Sequence, residues 1–257
     1  MRRPVIDILM YHSISGHGGP TAIAPDVFAM QMEVLASSGL PVLTLDDLLE
    51  ARRGLRALAP RSVILTFDDG FEDFAAVAWP ILERRSFRPI VYLPTGFIGR
   101  SEGWRGTADP PRPLMGWNVI RALAGEGVLF GSHTVSHPDL TALAPAALEQ
   151  ELVVARREIE DRLGRRVPHF APPYGLTRPA TRRAVARHYE TSAGTTLGTA
   201  ADGDDLHDLP RIEMYYYRDR RIWERHLAGQ GALYLAQRRT LRTIRAAVRK
   251  PWTAIRP

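Results

Sequence analysis

Short apolar runs alternate with helical stripes along most of the chain. The runs at 5–10, 63–67, 89–93, 128–131, 169–172, 191–195 and 209–212 are brief, mostly rich in aliphatic and aromatic residues, and bounded by Gly, Pro or polar residues. That pattern predicts buried strands. Between them apolar residues recur at helical spacing: Phe28, Met32 and Leu35; Leu45, Leu48 and Leu49; Val77, Ile81 and Leu82. The clearest stripe is Leu148, Leu152, Ala155, Ile159 and Leu163, ended by Gly164. Pro25-Asp26 opens the first helix and Gly39 closes it; Thr44 caps the second, which stops at Gly54. Leu43 is a short extended piece, and shorter helices are predicted over 117–124 and 177–187, with a helical segment from 221 onward. Residues 99–113 lack periodicity and predict a long surface loop. Repeated βα units imply a parallel sheet, and seven strands suit a closed or nearly closed α/β barrel.

Polar clusters fall immediately after the predicted strands: Tyr11-His12, Asp68-Asp69-Gly70, His133 with His137, Tyr174 and Arg211. In a parallel barrel the carboxyl ends of the strands converge on one rim, where such enzymes carry their chemistry. Each cluster alone has a plain structural reading: an Asp-Asp-Gly turn, a capped histidine loop, a surface ion pair at Arg211. Together, one Asp and an i, i+4 His pair make a three-ligand site with open positions, suited to Zn²⁺ or another borderline divalent ion. A hydrolase needs a ligand and a base. Adjacent residues of an extended chain point opposite ways, so Asp69 as ligand and Asp68 as base is the natural division. Cys is absent, which leaves His, Asp and Glu as ligands and removes disulfides and thiolates.

Thr66-Phe67-Asp68-Asp69-Gly70 together with Ser132-His133-Thr134-Val135-Ser136-His137 resembles the polysaccharide deacetylases of carbohydrate esterase family 4, the NodB-homology family. Phe170-Ala171-Pro172-Pro173-Tyr174-Gly175 is similar to that family's third motif. The resemblance implies a distorted (β/α)7 barrel that removes N-acetyl groups from amino sugars. It implies Asp68 as general base, Asp69, His133 and His137 as metal ligands, and the Tyr174 backbone N–H as an oxyanion donor. Two departures stand out. The third motif commonly begins with Arg, which holds the base; here that position is Ala171. The late Leu-x-His that supplies a general acid is replaced by Leu209-Pro210-Arg211. The branch acting on exopolysaccharide poly-N-acetylglucosamine carries an early Tyr-His, which Tyr11-His12 resembles. We therefore expect His12 to serve as the acid and Arg211 as the clamp on Asp68. Phe71, Trp104, Trp117 and Tyr174 are candidate sugar-cleft aromatics, while His17, His169, His188, His207 and His226 are expected to be structural or superficial. Two other classes stay open: a related-barrel hydrolase of a small cyclic amide, and a non-catalytic carbohydrate-binding protein.

Charge changes the picture only at the end of the chain. Residues 218–257 hold ten Arg and one Lys against Asp219 and Glu224, a net +9; with +6 overall, residues 1–217 carry −3. We expect a barrel over 1–217 and a basic helical tail over 218–257. Tyr234, Leu241, Ile244 and Val248 form one stripe of that tail, with Arg238, Arg239, Arg242, Arg245, Arg249 and Lys250 around it and Trp252 beyond Pro251. A basic amphipathic helix of this kind suits a membrane surface; packing on the barrel or in a homodimer is the other reading. Nucleic acid is not expected, since no nucleic-acid motif accompanies the charge. No secretory signal or membrane-spanning run is legible, so a cytoplasmic protein, peripheral on the inner face of the membrane, is expected. The size and tail are similar to those of holdfast-type deacetylases, which would suit a lipid-linked oligosaccharide precursor.

Overall fold

A computed structural model describes residues 3–104, 110–201 and 203–253, with side chains as far as 244. Strand β3 (Arg61–Phe67) sets the plan. Its Val63, Leu65 and Phe67 pack into the outer layer with the helices, while Ile64 belongs to an inner cluster with Ile6, Ile8, Ile90, Tyr92, Ala171, Ala193 and Leu209. The period of two thus divides an outer helix–barrel core from a filled lumen. β1 (Val5–Tyr11) pairs with β3 over seven residues, from Val5↔Arg61 to Tyr11↔Phe67.

Around the ring follow β4 (Ile90–Leu93), β5 (Leu129–Ser132), β6 (His169–Phe170), β7 (Thr191–Leu197) and β9 (Leu209–Glu213), and β9 returns to β1. Seven parallel strands therefore close, as the sequence predicts. Two further short strands fill gaps at the barrel floor. β2 (Val42–Leu43) pairs with β3 below the point where β4 joins it, and β8 (Ala200–Ala201) runs antiparallel to the start of β1 below β9. Leu43 hints at the first; two alanines give no hint of the second.

The helices are α1 (Pro25–Ser37), α2 (Leu45–Arg52), α3 (Trp79–Glu83), α4 (Trp117–Gly125), α5 (Pro145–Leu163), α6 (Pro179–Ala186), α7 (Arg220–Arg225) and α8 (Ala232–Thr253). Thr44 and Asp47 form a reciprocal capping box on α2, and Gly164 ends α5 in the left-handed conformation. The helix expected from the Val77, Ile81 and Leu82 stripe is different in kind. A π-turn, Phe74–Ala78, precedes α3 and rotates the buried face to Phe74, Ala78, Trp79 and Leu82, so Val77 and Ile81 are only partly covered. The late helical segment is likewise broken: a π-turn at His226–Gln230 separates α7 from α8.

That late segment is tied to the barrel floor. Arg61 donates twice to Asp7 Oδ2 (2.8 and 2.7 Å), His226 Nε2 stands 3.4 Å from the same oxygen, and the Tyr217 hydroxyl meets His226 Nδ1 at 2.9 Å. Trp223 donates to the Gln31 carbonyl, and Gln31 donates to the carbonyls of Met214 and Tyr217. His226 is thus structural, as is His169, which bridges Thr191 and Asp46.

Candidate active site

Asp68 follows Ser62, Ile64 and Thr66 on the lumen side of β3. An extended chain would send Asp69 the other way. Instead Asp69 has φ +73° and Gly70 φ +70°, and this left-handed turn brings both carboxylates to the same rim. Among the described residues, five non-glycines have positive φ: Asp69, Ser86, Thr134, His137 and Tyr174. Four of the five belong to the strand-end loops named above, and strain of this kind persists only where the surroundings fix it. The restraints are visible. Glu151 of α5 accepts from the Val135 and Ser136 N–H groups (2.8 and 2.9 Å) and from the Ser136 hydroxyl (2.6 Å), while His137 N–H donates to Thr134 Oγ1. The loop after β1 is held by Asp73, which accepts from Ser13 Oγ (2.5 Å) and Ile14 N–H (2.9 Å). Glu151 and Asp73 are supports that sequence reasoning missed.

Asp69 Oδ1 faces His137 Nε2 at 3.3 Å and His133 Nε2 at 3.5 Å, and one ligand atom from each of the three lies within 4.8 Å of the others. All three residues are buried. His133 Nδ1 donates to the Ala171 carbonyl (2.7 Å), which directs Nε2 toward Asp69. Asp69 Oδ1 has no hydrogen bond of ordinary geometry, although it is buried. An orphaned carboxylate oxygen between two imidazole nitrogens is what a divalent cation would satisfy, so the donor set fits one. Burial opposes ionisation of Asp69, but the two imidazoles hold its carboxyl well below the usual range. At His133 burial disfavours the imidazolium, yet Asp69 and Asp68 outweigh it and raise the pKa; at His137 burial prevails and lowers it.

Asp68 is paired on its other side. Arg211 donates to both its oxygens, Nη1 to Oδ1 at 2.6 Å and Nη2 to Oδ2 at 2.7 Å, with neither side chain more than 4% exposed. The same guanidinium reaches Thr66 Oγ1 (3.1 Å) and the Gly194 carbonyl (2.7 Å). Burial pushes the Asp68 carboxyl up, but the Arg211 charge and hydrogen bonds, joined by His12 and His133, bring it below its ordinary value. His12 Nε2 stands 3.8 Å from Asp68 Oδ2, and its buried Nδ1 has no hydrogen-bond partner. Ala171 lies in the lumen cluster, so the cation beside Asp68 comes from β9 rather than from the third motif.

Glu213, two residues beyond Arg211, was missed. The alternation of Leu209 and Arg211 into the lumen extends to it, and burial raises its carboxyl against the charges of His12, Arg242 and Arg211.

The aromatics divide. Trp104 stacks on His137 (4.3 Å between centroids) and meets Phe97 edge-on; Tyr174 meets His137 edge-on at 4.8 Å and is 40% exposed. Phe71 is instead buried under the Arg112 guanidinium, and Trp117 packs beneath Arg162 of α5. The stems of the 99–113 loop are not superficial: Glu102 and Arg112 form a buried bidentate pair (2.7 and 2.9 Å), and residues 105–109 lie outside the described set.

Known proteins place this geometry. Residues 56–192 match the family model described as polysaccharide deacetylase. The Streptococcus pyogenes deacetylase PplD, solved with acetate, is 26% identical; the match covers 82% of this chain and 92% of that one, with a TM-score of 0.71. IcaB from Ammonifex degensii is 22% identical and shares the fold, with a TM-score of 0.74 over 89% of this chain and 97% of that one. The poly-beta-1,6-N-acetyl-D-glucosamine N-deacetylase of Escherichia coli (strain K12) is 35% identical over 131 residues, 46% of this chain and only 18% of that protein. The family match spans three strand-end motifs on a closed barrel, and this chain belongs to the polysaccharide deacetylase family.

Proposed function

We propose that this protein hydrolyses N-acetyl groups on amino-sugar residues of a bacterial exopolysaccharide or its lipid-linked precursor, with Asp68, His12, Tyr174 and Arg211 as the reacting and supporting groups. The observation that carries this reading is one rim holding two functions side by side: a buried Asp69/His133/His137 donor set, and a carboxylate kept ionised by Arg211.

A divalent cation held by the donor set, Zn²⁺ best matching its nitrogen–oxygen character, would polarise the acetyl carbonyl and acidify water. Asp68, as base, takes a proton from the attacking water. The water oxygen bonds to the acetyl carbon, and charge collects on the former carbonyl oxygen, which the Tyr174 backbone N–H is assigned to receive. His12 delivers a proton to the sugar nitrogen, the C–N bond breaks, and acetate and a free amine leave. Arg211 touches no reacting atom in this scheme; it keeps Asp68 charged and oriented.

The test is acetate release from N-acetylglucosamine oligomers. Chelation should lower the rate by more than about 100-fold, a typical cost of removing one catalytic contribution, and Zn²⁺ should restore it. Bound oligosaccharide with no acetate under any divalent ion would favour a binding protein. Ring opening of a small cyclic amide without oligomer deacetylation would favour the related-barrel hydrolase.

The membrane reading has its own support. Leu233, Leu241 and Ile244 of α8 are 87%, 41% and 53% exposed, alongside exposed Arg239. Tyr234, expected in the same stripe, turns to the barrel and donates to the Tyr216 carbonyl; the side chains of Val248 and Trp252 lie outside the described set. None of the helices among the described residues is long and apolar enough to cross a membrane. Sedimentation with anionic vesicles should carry down the full chain but not a chain ended at residue 231. Equal sedimentation of both would sink the membrane reading.

A further inference from the structure

We propose that Arg242 of α8 is a positioning residue for the active site, bracing the bulged end of β7 against the Tyr174–Gly175 turn. The proposal rests on the role given above to that turn. β7 and β9 pair at Ala193↔Leu209 and again at Leu197↔Arg211, so three residues of β7 stand opposite one residue of β9. That one residue is Pro210, which has no N–H to offer. The carbonyls inside the bulge must find donors elsewhere. Two guanidiniums supply them: Arg211 Nε donates to the Gly194 carbonyl (2.7 Å), and Arg242 Nη1 donates to the next one, Thr195 (2.9 Å). The first guanidinium also holds Asp68. The second comes from a helix 47 positions away in sequence.

The Thr195 side chain lies directly against Gly175, where any Cβ would overlap it. Gly175 (φ +67°) and Tyr174 (φ +58°) are consecutive left-handed residues, and Tyr174 is a strained one. A turn of that kind keeps its geometry only if its walls hold, and Thr195 is one wall. The Arg242 charge also acts on the Glu213 carboxyl, together with those of His12 and Arg211. Arg242 is half-buried between exposed neighbours Leu241 and Thr243, as a docked side chain would be. The basic tail, on this view, completes the catalytic barrel.

The test pairs kinetics with backbone hydrogen exchange on the full-length protein. Arg242→Ala should lower kcat by about tenfold or more, within the range that sub-ångström to ångström misplacement costs, with KM and melting temperature little changed. Exchange should quicken at the amides of residues 174–176 but not at 133–137. Arg242→Lys, which can still reach one carbonyl, should recover most of the rate, and Arg157→Ala, on the exposed face of α5, should match wild type. Thr195→Ala removes the same wall from the other end; it should give the same loss, and the double variant should be no worse than either single one. A kcat for Arg242→Ala within twofold of wild type, unchanged exchange at 174–176, or additive losses in the double variant would each overturn the proposal. If Arg242→Ala does not fold, Thr195→Ala alone decides: normal rate and exchange overturn it. If wild type itself releases no acetate, the deacetylase reading falls, and the exchange measurement decides this proposal alone.

Discussion

Replacing Asp68 by Asn lowers acetate release from N-acetylglucosamine oligomers by about 10²–10⁴-fold, the usual contribution of a positioned acid or base, while cation binding survives. Asn keeps the size of the side chain and one acceptor for Arg211, but its amide takes no proton from water. Asp69, His133 and His137 are untouched by the change, so equilibrium dialysis against Zn²⁺ should still load the protein. His137→Ala should behave oppositely, losing cation and activity together, because it removes one of three donors that lie within 4.8 Å of one another. The pair of variants separates base from ligand. An Asp68→Asn protein that keeps more than a tenth of the rate, or that loses the cation as His137→Ala does, removes Asp68 from the role of base. Initial rates should be compared well below the melting temperature, since the Arg211 charge is then only partly compensated.

The sequence makes the rim legible because two local signals coincide there: strand periodicity ends, and polar residues with Gly or Pro begin. His12, Asp68, Asp69, His133, His137 and Tyr174 are all found this way, and the structure brings them to one end of the barrel. How the carboxylates share that rim is not legible. Alternation sends Asp69 away from Asp68, and only the left-handed turn at Asp69-Gly70 brings it back. A missing Arg at position 171 signals that some other cation must face Asp68, which points to Arg211 without fixing its geometry; the bidentate pair spans 143 positions. Glu151 and Thr195 carry no local signal at all. Their roles arise from contacts between elements distant in sequence, and a charged residue on a helix face reads as solvated until its partners are known. The π-turn at Phe74–Ala78 is hidden for a related reason: one extra residue per turn shifts the buried face without altering the composition of the segment.

Arg211→Met should be the most damaging single change in the barrel. Four acceptors lose their donor at once: both oxygens of Asp68, Thr66 Oγ1 and the Gly194 carbonyl. Met fills much of the volume, so the loss is electrostatic rather than a cavity. Removing one partner of a buried ion pair costs about 3–5 kcal/mol, and for a chain of this length each kcal/mol lowers the melting temperature by roughly 2–4 °C. A fall on the order of 10 °C is therefore expected by calorimetry. The sign of the pH effect follows from the pair. With Arg211 present, the folded Asp68 carboxyl lies below its ordinary value, so the pair's contribution is complete above the unfolded carboxyl range and is lost as pH falls through the folded pKa. Without Arg211, burial is unopposed by the largest neighbouring charge and the carboxyl moves up. The acid limb of kcat/KM should move to higher pH with it, because the base must be ionised to act. Arg211→Lys should rescue little, since one ammonium cannot reach four acceptors set for a planar fork. A variant with unchanged melting temperature and an unmoved acid limb would show that the clamp on Asp68 comes from elsewhere.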